Sequence, residues 1–164
     1  MSLYVTVDFK QFEEYKDKIE KLSEGDVQKF FDDCCKELAA RLLGKVIPKT
    51  PVGNYDDGRE GGTLRRGWTA GKDTNARAYA YSLPVQKVAD GYIITIKNMV
   101  EYAPYVNYGH RQTIGRYVPQ IGKRLKRGFV EGQFFLEKSE MELGSELPNV
   151  IKNKMMKFLK ETLE

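Results

Sequence analysis

At 164 residues, 41% hydrophobic and 30% charged, the chain fits one globular domain, residues 1–164, with material for a real core. No run approaches the roughly 20 apolar residues that span a bilayer. The N-terminus lacks the charged-then-apolar pattern of a secretory signal, so neither a membrane partner nor secretion is expected. The net charge of +4, from 27 Lys and Arg against 23 Asp and Glu, is too mild to mark a nucleic-acid binder by its total.

Nothing before Asp8 is assigned to an element. Asp8 to Leu22 reads as a helix, with Phe9, Phe12, Ile19 and Leu22 near one face, Asp8 as its cap and Ser23-Glu24-Gly25 as its end. A second helix is expected from about Asp26 to Val46. Ser23 and Asp26 resemble a capping box, and Val27, Phe30, Phe31, Cys34, Leu38 and Leu42 form a stripe that reads as core. Pro48 and Pro51 are expected to stop it. Residues 47–62 then read as a loop rich in Gly, Asn and Asp.

From Leu64 to about Ile96 the chain reads as strands. Leu64 to Ala70 carries Trp68, and Arg77 to Tyr81 alternates. Val85 to Val88, Asp90-Gly91 and Tyr92 to Lys97 read as a hairpin, with Ile94 and Ile96 on one face and Ile93 and Thr95 on the other. Tyr102 to Gly109 suits a short helix opened by Pro104 and closed by Gly109 in a left-handed conformation. Its tyrosines, at three-residue spacing, are expected mostly in the core. Residues 110–131 read as a long basic loop, of a length that is usually functional or disordered. Gln133 onward is helical, with a break or kink expected between Leu143 and Asn149 from Gly144-Ser145 and Pro148. The fold class is therefore α+β: a small, mainly antiparallel sheet packed against two N-terminal helices and a long, kinked C-terminal helix.

The residues offer little catalytic chemistry, and the chain is expected not to be an enzyme. His110 is the sole histidine, so any Ser/His or Cys/His nucleophile must recruit it from a glycine-flanked, arginine-rich loop. Cys34 and Cys35 are adjacent, which suits neither an ordinary intrachain disulfide nor, with one histidine, a zinc site. Unpaired cysteines fit synthesis in a reducing cytoplasm. Asn54 to Gly58 lacks the spacing and closing Glu of a calcium loop, and Gly61 to Gly67 lacks the Lys-Ser/Thr of a phosphate loop. No metal or other cofactor is expected.

Charge is unevenly placed. From Tyr102 to Val130 there is no acid, whereas Arg111, Arg116, Lys123, Arg124, Lys126 and Arg127 all fall there. Acids gather in the helices and around Asp56, Asp57 and Glu60. Tyrosines beside the cations leave a second reading open, a nucleic-acid-binding module that uses residues 110–131 to stack on bases and hold phosphates. Acids along the helices, such as Glu13, Asp17, Asp33 and Glu37, count against a continuous basic face.

Three segments in order resemble the tail-component family of siphophages, whose members complete the tail or join it to the head. They are Ile47-Pro48-Lys49-Thr50-Pro51-Val52 with Gly62-Thr63-Leu64-Arg65-Arg66-Gly67-Trp68, then Tyr102-Ala103-Pro104-Tyr105-Val106-Asn107-Tyr108-Gly109-His110, then Gly132-Gln133-Phe134-Phe135-Leu136. Against the family pattern, the link from Val52 to Gly62 is longer and more acidic, Asn107 stands where Glu is common, and the basic loop is longer. The resemblance implies a virion protein made in the bacterial host cytoplasm and assembled as a ring, a hexamer in the particle. Its partners would be further copies of itself, the head-connector and tail-tube proteins, and DNA in the channel. Candidate partner or subunit contacts are Asp56, Asp57, Arg65, Arg66, His110, Arg111, Arg116, Lys123, Arg124, Lys126 and Arg127.

Overall fold

The computed structural model describes residues 2–6, 24–55, 58–119 and 122–163, with backbone alone for 2–6 and 162–163. The expected helix from Asp8 to Leu22, and Ser23 of the expected capping box, lie outside the described residues.

Strand β1 (Ser2–Thr6) is followed by the long helix α1 (Glu24–Lys49), which carries the core. Phe30, Cys34, Leu38 and Leu42 of the expected stripe are buried, and so are Cys35, Ala39, Ala40, Leu43 and Val46. A helix buried on this much of its circumference must be covered from several directions. Further along come α2 (Thr63–Arg66), a 3-10 turn (Gly67–Thr69), α3 (Ala76–Ser82), and strands β2 (Val85–Val88) and β3 (Gly91–Lys97). Strands β1, β3 and β2 form an antiparallel sheet in that order. Tyr92, Ile94 and Ile96 alternate into the core as expected, and Phe31 of α1 stacks on Tyr92 at 4.6 Å.

The short helix α4 (Ala103–Tyr108) leads into strands β4 (Gly109–Arg111), β5 (Tyr117–Val118), β6 (Lys123–Arg124) and β7 (Phe129–Glu131). Helix α5 (Phe135–Leu163) closes the chain. It runs antiparallel to α1: Lys49 pairs with Glu142 at 2.8 Å, Lys45 with Glu146 at 2.6 Å, and Phe30 meets Phe158 at 4.8 Å. Beneath the ion pairs, Leu143, Ile151 and Met155 are buried.

The α+β class holds, and several elements differ from expectation. Leu64 to Ala70 is helical, not a strand. A four-residue spacing puts Leu64 and Trp68 on one side of either element, and both are buried here as helical neighbours. Arg77 to Tyr81 also lies in a helix. Asn75 caps it by accepting from the Ala78 N–H at 2.8 Å, and alanines interleave the residues that alternate.

The hairpin is present, but its two central residues are Ala89 and Asp90, because Val88 pairs with Gly91. Helix α1 runs through Pro48 to Lys49. The Thr50 N–H and hydroxyl both donate to the Val46 carbonyl, at 2.9 and 2.7 Å, and hold the last turn. Helix α5 likewise runs unbroken through Gly144 and Pro148, since packing of Leu143 and Ile151 on either side outweighs the one hydrogen bond that proline removes.

The end of α1 is clamped by α2 and its 3-10 turn. The Trp68 indole N–H donates to the Thr50 hydroxyl at 2.8 Å, and both side chains are fully buried. Arg65 donates to the Thr50 carbonyl at 2.8 Å and to the Pro48 carbonyl at 3.2 Å, capping carbonyls that the helix leaves open. Phe135 of α5 meets Trp68 edge-on at 6.3 Å. Replacing Thr50 by Val strands the indole N–H and is expected to cost about 1–3 kcal/mol. Thr50→Ser keeps the acceptor and should cost less than half as much. Urea unfolding followed by Trp68 fluorescence decides this, and equal losses in the two variants would refute the role given to the hydroxyl.

Candidate interface arm

Residues 109–119 and 122–131 form a two-stranded antiparallel ribbon, not the long basic loop expected from the sequence. Strand β4 pairs with β7, in the register Gly109 to Glu131 through Arg111 to Phe129. Gln112 continues the ladder by donating to the Gly128 carbonyl. Beyond it, Tyr117 pairs with Arg124 and Val118 with Lys123. Between the two ladders the first strand carries one extra residue, a bulge eased by Gly115 at φ 83°.

The arm leaves the body through a narrow neck. Gly109 has φ 84°, but ψ 172° makes it an extended left-side residue and not the left-handed helix terminator expected. A Cβ on Gly109 would collide with the Val130 carbonyl, and one on Gly132 with the Asn107 carbonyl. Only glycine lets the strands cross this closely.

Asn107 sets that neck. Its side chain has no solvent exposure. The amide donates to both Glu137 oxygens, at 3.0 and 2.8 Å, while its oxygen accepts from the Leu136 N–H at 3.2 Å. Its backbone carbonyl accepts from the Phe134 N–H at 2.9 Å, and Val106 accepts from Gln133 at 3.1 Å. These bonds tie α4 to the first turn of α5, and Phe134 takes a positive φ of 52° to make the connection. Burial and the neighbouring Glu137 push the Glu140 carboxyl above its usual range. Burial, with a hydrogen bond to Glu137, does the same to the Tyr108 phenol.

The tyrosine stripe is not core. Tyr102, Tyr105 and Tyr108 are 43, 58 and 47% exposed, and α4 instead buries Ala103 and Asn107. Ile114, Tyr117 and Phe129 of the arm are exposed as well. No described residue of the arm is buried. The six cations of the acid-free stretch, Arg111, Arg116, Lys123, Arg124, Lys126 and Arg127, all lie on it and all are exposed. Arg124 donates to the Gly115 carbonyl at 2.8 Å. His110 lies at the root, edge-on to Tyr105 at 5.9 Å, with its Nδ1 buried and without a hydrogen-bond partner. A lone ribbon is marginal in water, and one bearing this much exposed apolar and cationic surface is suited to packing against something else.

The other candidate residues are placed apart. Arg65 is engaged in the α1 clamp described above. Arg66 is exposed, donates to the Gly61 carbonyl at 3.1 Å and faces Glu60 at 3.8 Å. Asp56 and Asp57 lie outside the described residues.

Burial works to raise the Glu37 carboxyl, but Arg77 at 3.1 Å and Arg41 at 3.0 Å overcome it and hold the group below its usual range. Burial pushes the Cys34 and Cys35 thiols up to about 12 and about 11, so neither is a ready nucleophile at neutral pH. Among the described residues, no group of three or more His, Cys, Asp or Glu side chains is placed to hold a metal ion. No described helix is long and apolar enough to cross a membrane.

Residues 13–109 match the family described as Bacteriophage HK97-gp10, putative tail-component. That span covers more than half of the chain, and the chain belongs to this family of phage tail components. The match contains the first motif and the second as far as Gly109, and it stops at the neck, so the rest of the arm and α5, with the third motif, lie beyond it. Neither the curated proteins nor the solved structures contain a match to the chain.

Asn107→Asp sets a carboxylate against Glu137. One of the two must then titrate above its unfolded value. Such a raised acid costs stability above the unfolded pKa, and the cost fades as pH falls. A loss of about 1–3 kcal/mol at pH 7 is expected, shrinking toward pH 4 and relieved by Glu137→Gln. Chemical unfolding at both pH values checks it. A loss independent of pH would contradict the assignment.

Proposed function

We propose that the protein is a non-enzymatic virion component of a phage or prophage, made in the bacterial host cytoplasm. It completes the tail and joins it to the head connector as a ring, a hexamer in the particle. Family membership supports the tail role. The observation that carries the joining role is the arm: a cationic ribbon with exposed rings and, among its described residues, none buried, held on a fixed root. Such an element gains stability when a neighbouring protein covers it. The partners are other copies of this chain and the connector and tail-tube proteins.

The same exposed cations and Tyr105 and Tyr117 favour a second reading, in which the arm lines the DNA channel or serves a nucleic-acid-binding module. Two measurements separate these readings. Reversing charge at Lys123, Arg124, Lys126 and Arg127 is expected to cut the yield of joined particles at least tenfold, counted by electron microscopy. Unchanged yield would sink the joining role of the arm. The purified protein is expected to bind duplex DNA negligibly at 50 mM salt, and salt-sensitive binding would favour the second reading.

A further inference from the structure

The outer side of α5, beside the root of the arm, is uncovered. Glu137, Met141, Gly144 and Pro148 follow one another at four- and three-residue spacing and so share one side of the helix. A Cβ on Gly144 would meet nothing within 4 Å, so no other described segment lies over that side. Met141 is 78% exposed. Phe134, one turn before Glu137, and Tyr108, whose phenol bonds Glu137, are exposed as well.

The acids of this patch are unmatched. Glu142 and Glu146, on another side of the helix, pair with Lys49 and Lys45. Glu137 and Glu140 have no ion-pair partner among the described residues. The one cation in the same two turns, Lys138, donates to the Gln133 carbonyl at 2.8 Å. Two carboxylates one turn apart thus stand beside exposed rings and a thioether. Burial and Glu137 already hold the Glu140 carboxyl up, and a cation placed here would relieve it.

The arm has the opposite need. None of its six cations has an ion-pair partner among the described residues. At the outer ladder Tyr117 stands opposite Arg124, and directly opposed residues share a face of a ribbon. That face sets a phenol ring beside a guanidinium. Arg124 spends one nitrogen on the Gly115 carbonyl, which leaves other donors for a carboxylate. The eight residue steps from Lys123 to Glu131 carry this end about 25 Å from the root at roughly 3.3 Å per residue. The patch lies at the root, so the tip of one arm is remote from the patch of its own copy.

We infer that the patch receives the arm tip of a second copy, with Arg124 at the Glu137 and Glu140 carboxylates and Tyr117 against Met141 and Phe134. Charge selects this occupant over DNA, whose phosphates the two acids repel. Tip and patch are different surfaces, so the contact is head-to-tail and repeats from copy to copy. This inference rests on the ring proposed above and assigns its contact.

The test is cross-linking in assembled particles with a short bis-maleimide, using the double variant Tyr117→Cys and Met141→Cys. Both positions are exposed, and Cys34 and Cys35 are buried. Covalent multimers of this chain are expected, at least tenfold more than from a control carrying Tyr117→Cys with Met156→Cys, farther along α5. Tyr117→Cys with Gly144→Cys should behave as the first pair. Adding Arg124→Glu sets like charges together and should lower the cross-linked yield per incorporated chain about tenfold. Glu140→Arg in that same chain should restore it. Glu140 is the position to reverse because Glu137 also holds Asn107.

Particles that contain the protein but give no multimer from either pair would overturn the contact and leave the ring standing. A cross-linked yield indifferent to Arg124→Glu would overturn the role given to the two carboxylates. Purified particles that lack the protein would overturn the ring itself.

Discussion

One buried amide holds the root of the arm in place. Asn107 divides its hydrogen-bonding capacity between the Glu137 carboxylate and the first turn of α5, and its backbone carbonyl takes the Phe134 N–H. A buried amide left unsatisfied is costly, so the positions of α4 and α5 are strongly coupled. The arm leaves the body from Gly109 and returns at Gly132, within three residues of the helices that this amide joins. A ribbon whose described residues are all at least partly exposed takes its direction from its root.

A second constraint fixes the other side of α4. Thr50, Arg65 and Trp68 tie the end of α1 to the turn that follows the acidic loop, and Phe135 brings the start of α5 onto Trp68. Segments separated in sequence by more than eighty residues thus meet around one indole. The three motifs that carry the family resemblance are mostly the working parts of this frame.

Much of the frame was legible in the sequence. The stripe of α1, the alternation of β3 and the short helix after Pro104 follow local periodicity, and each is present. The misreadings have physical causes. Leu64 and Trp68 satisfy strand and helix alike, and the alternation from Arg77 to Tyr81 hid a helix that its Asn75 cap announces. Strand β1 is not marked by local period, although Leu3-Tyr4-Val5-Thr6 has strand composition, because its pairing with β3 spans about ninety residues. Tyr102, Tyr105 and Tyr108 looked like core because spacing reports a shared face and not what covers it. The arm was legible as charge and length but not as a ribbon, since its strands of two or three residues carry no period.

The matched family span ends at the root of the arm, while α5, which completes the frame, and the arm itself lie beyond it. Electron cryo-microscopy of the head–tail joint in purified particles tests the joining role of the arm most directly. The account predicts a ring of this chain between connector and tail tube, with each arm lying across the adjacent copy. A joint without this chain, or a ring whose arms touch no neighbouring protein, would contradict it.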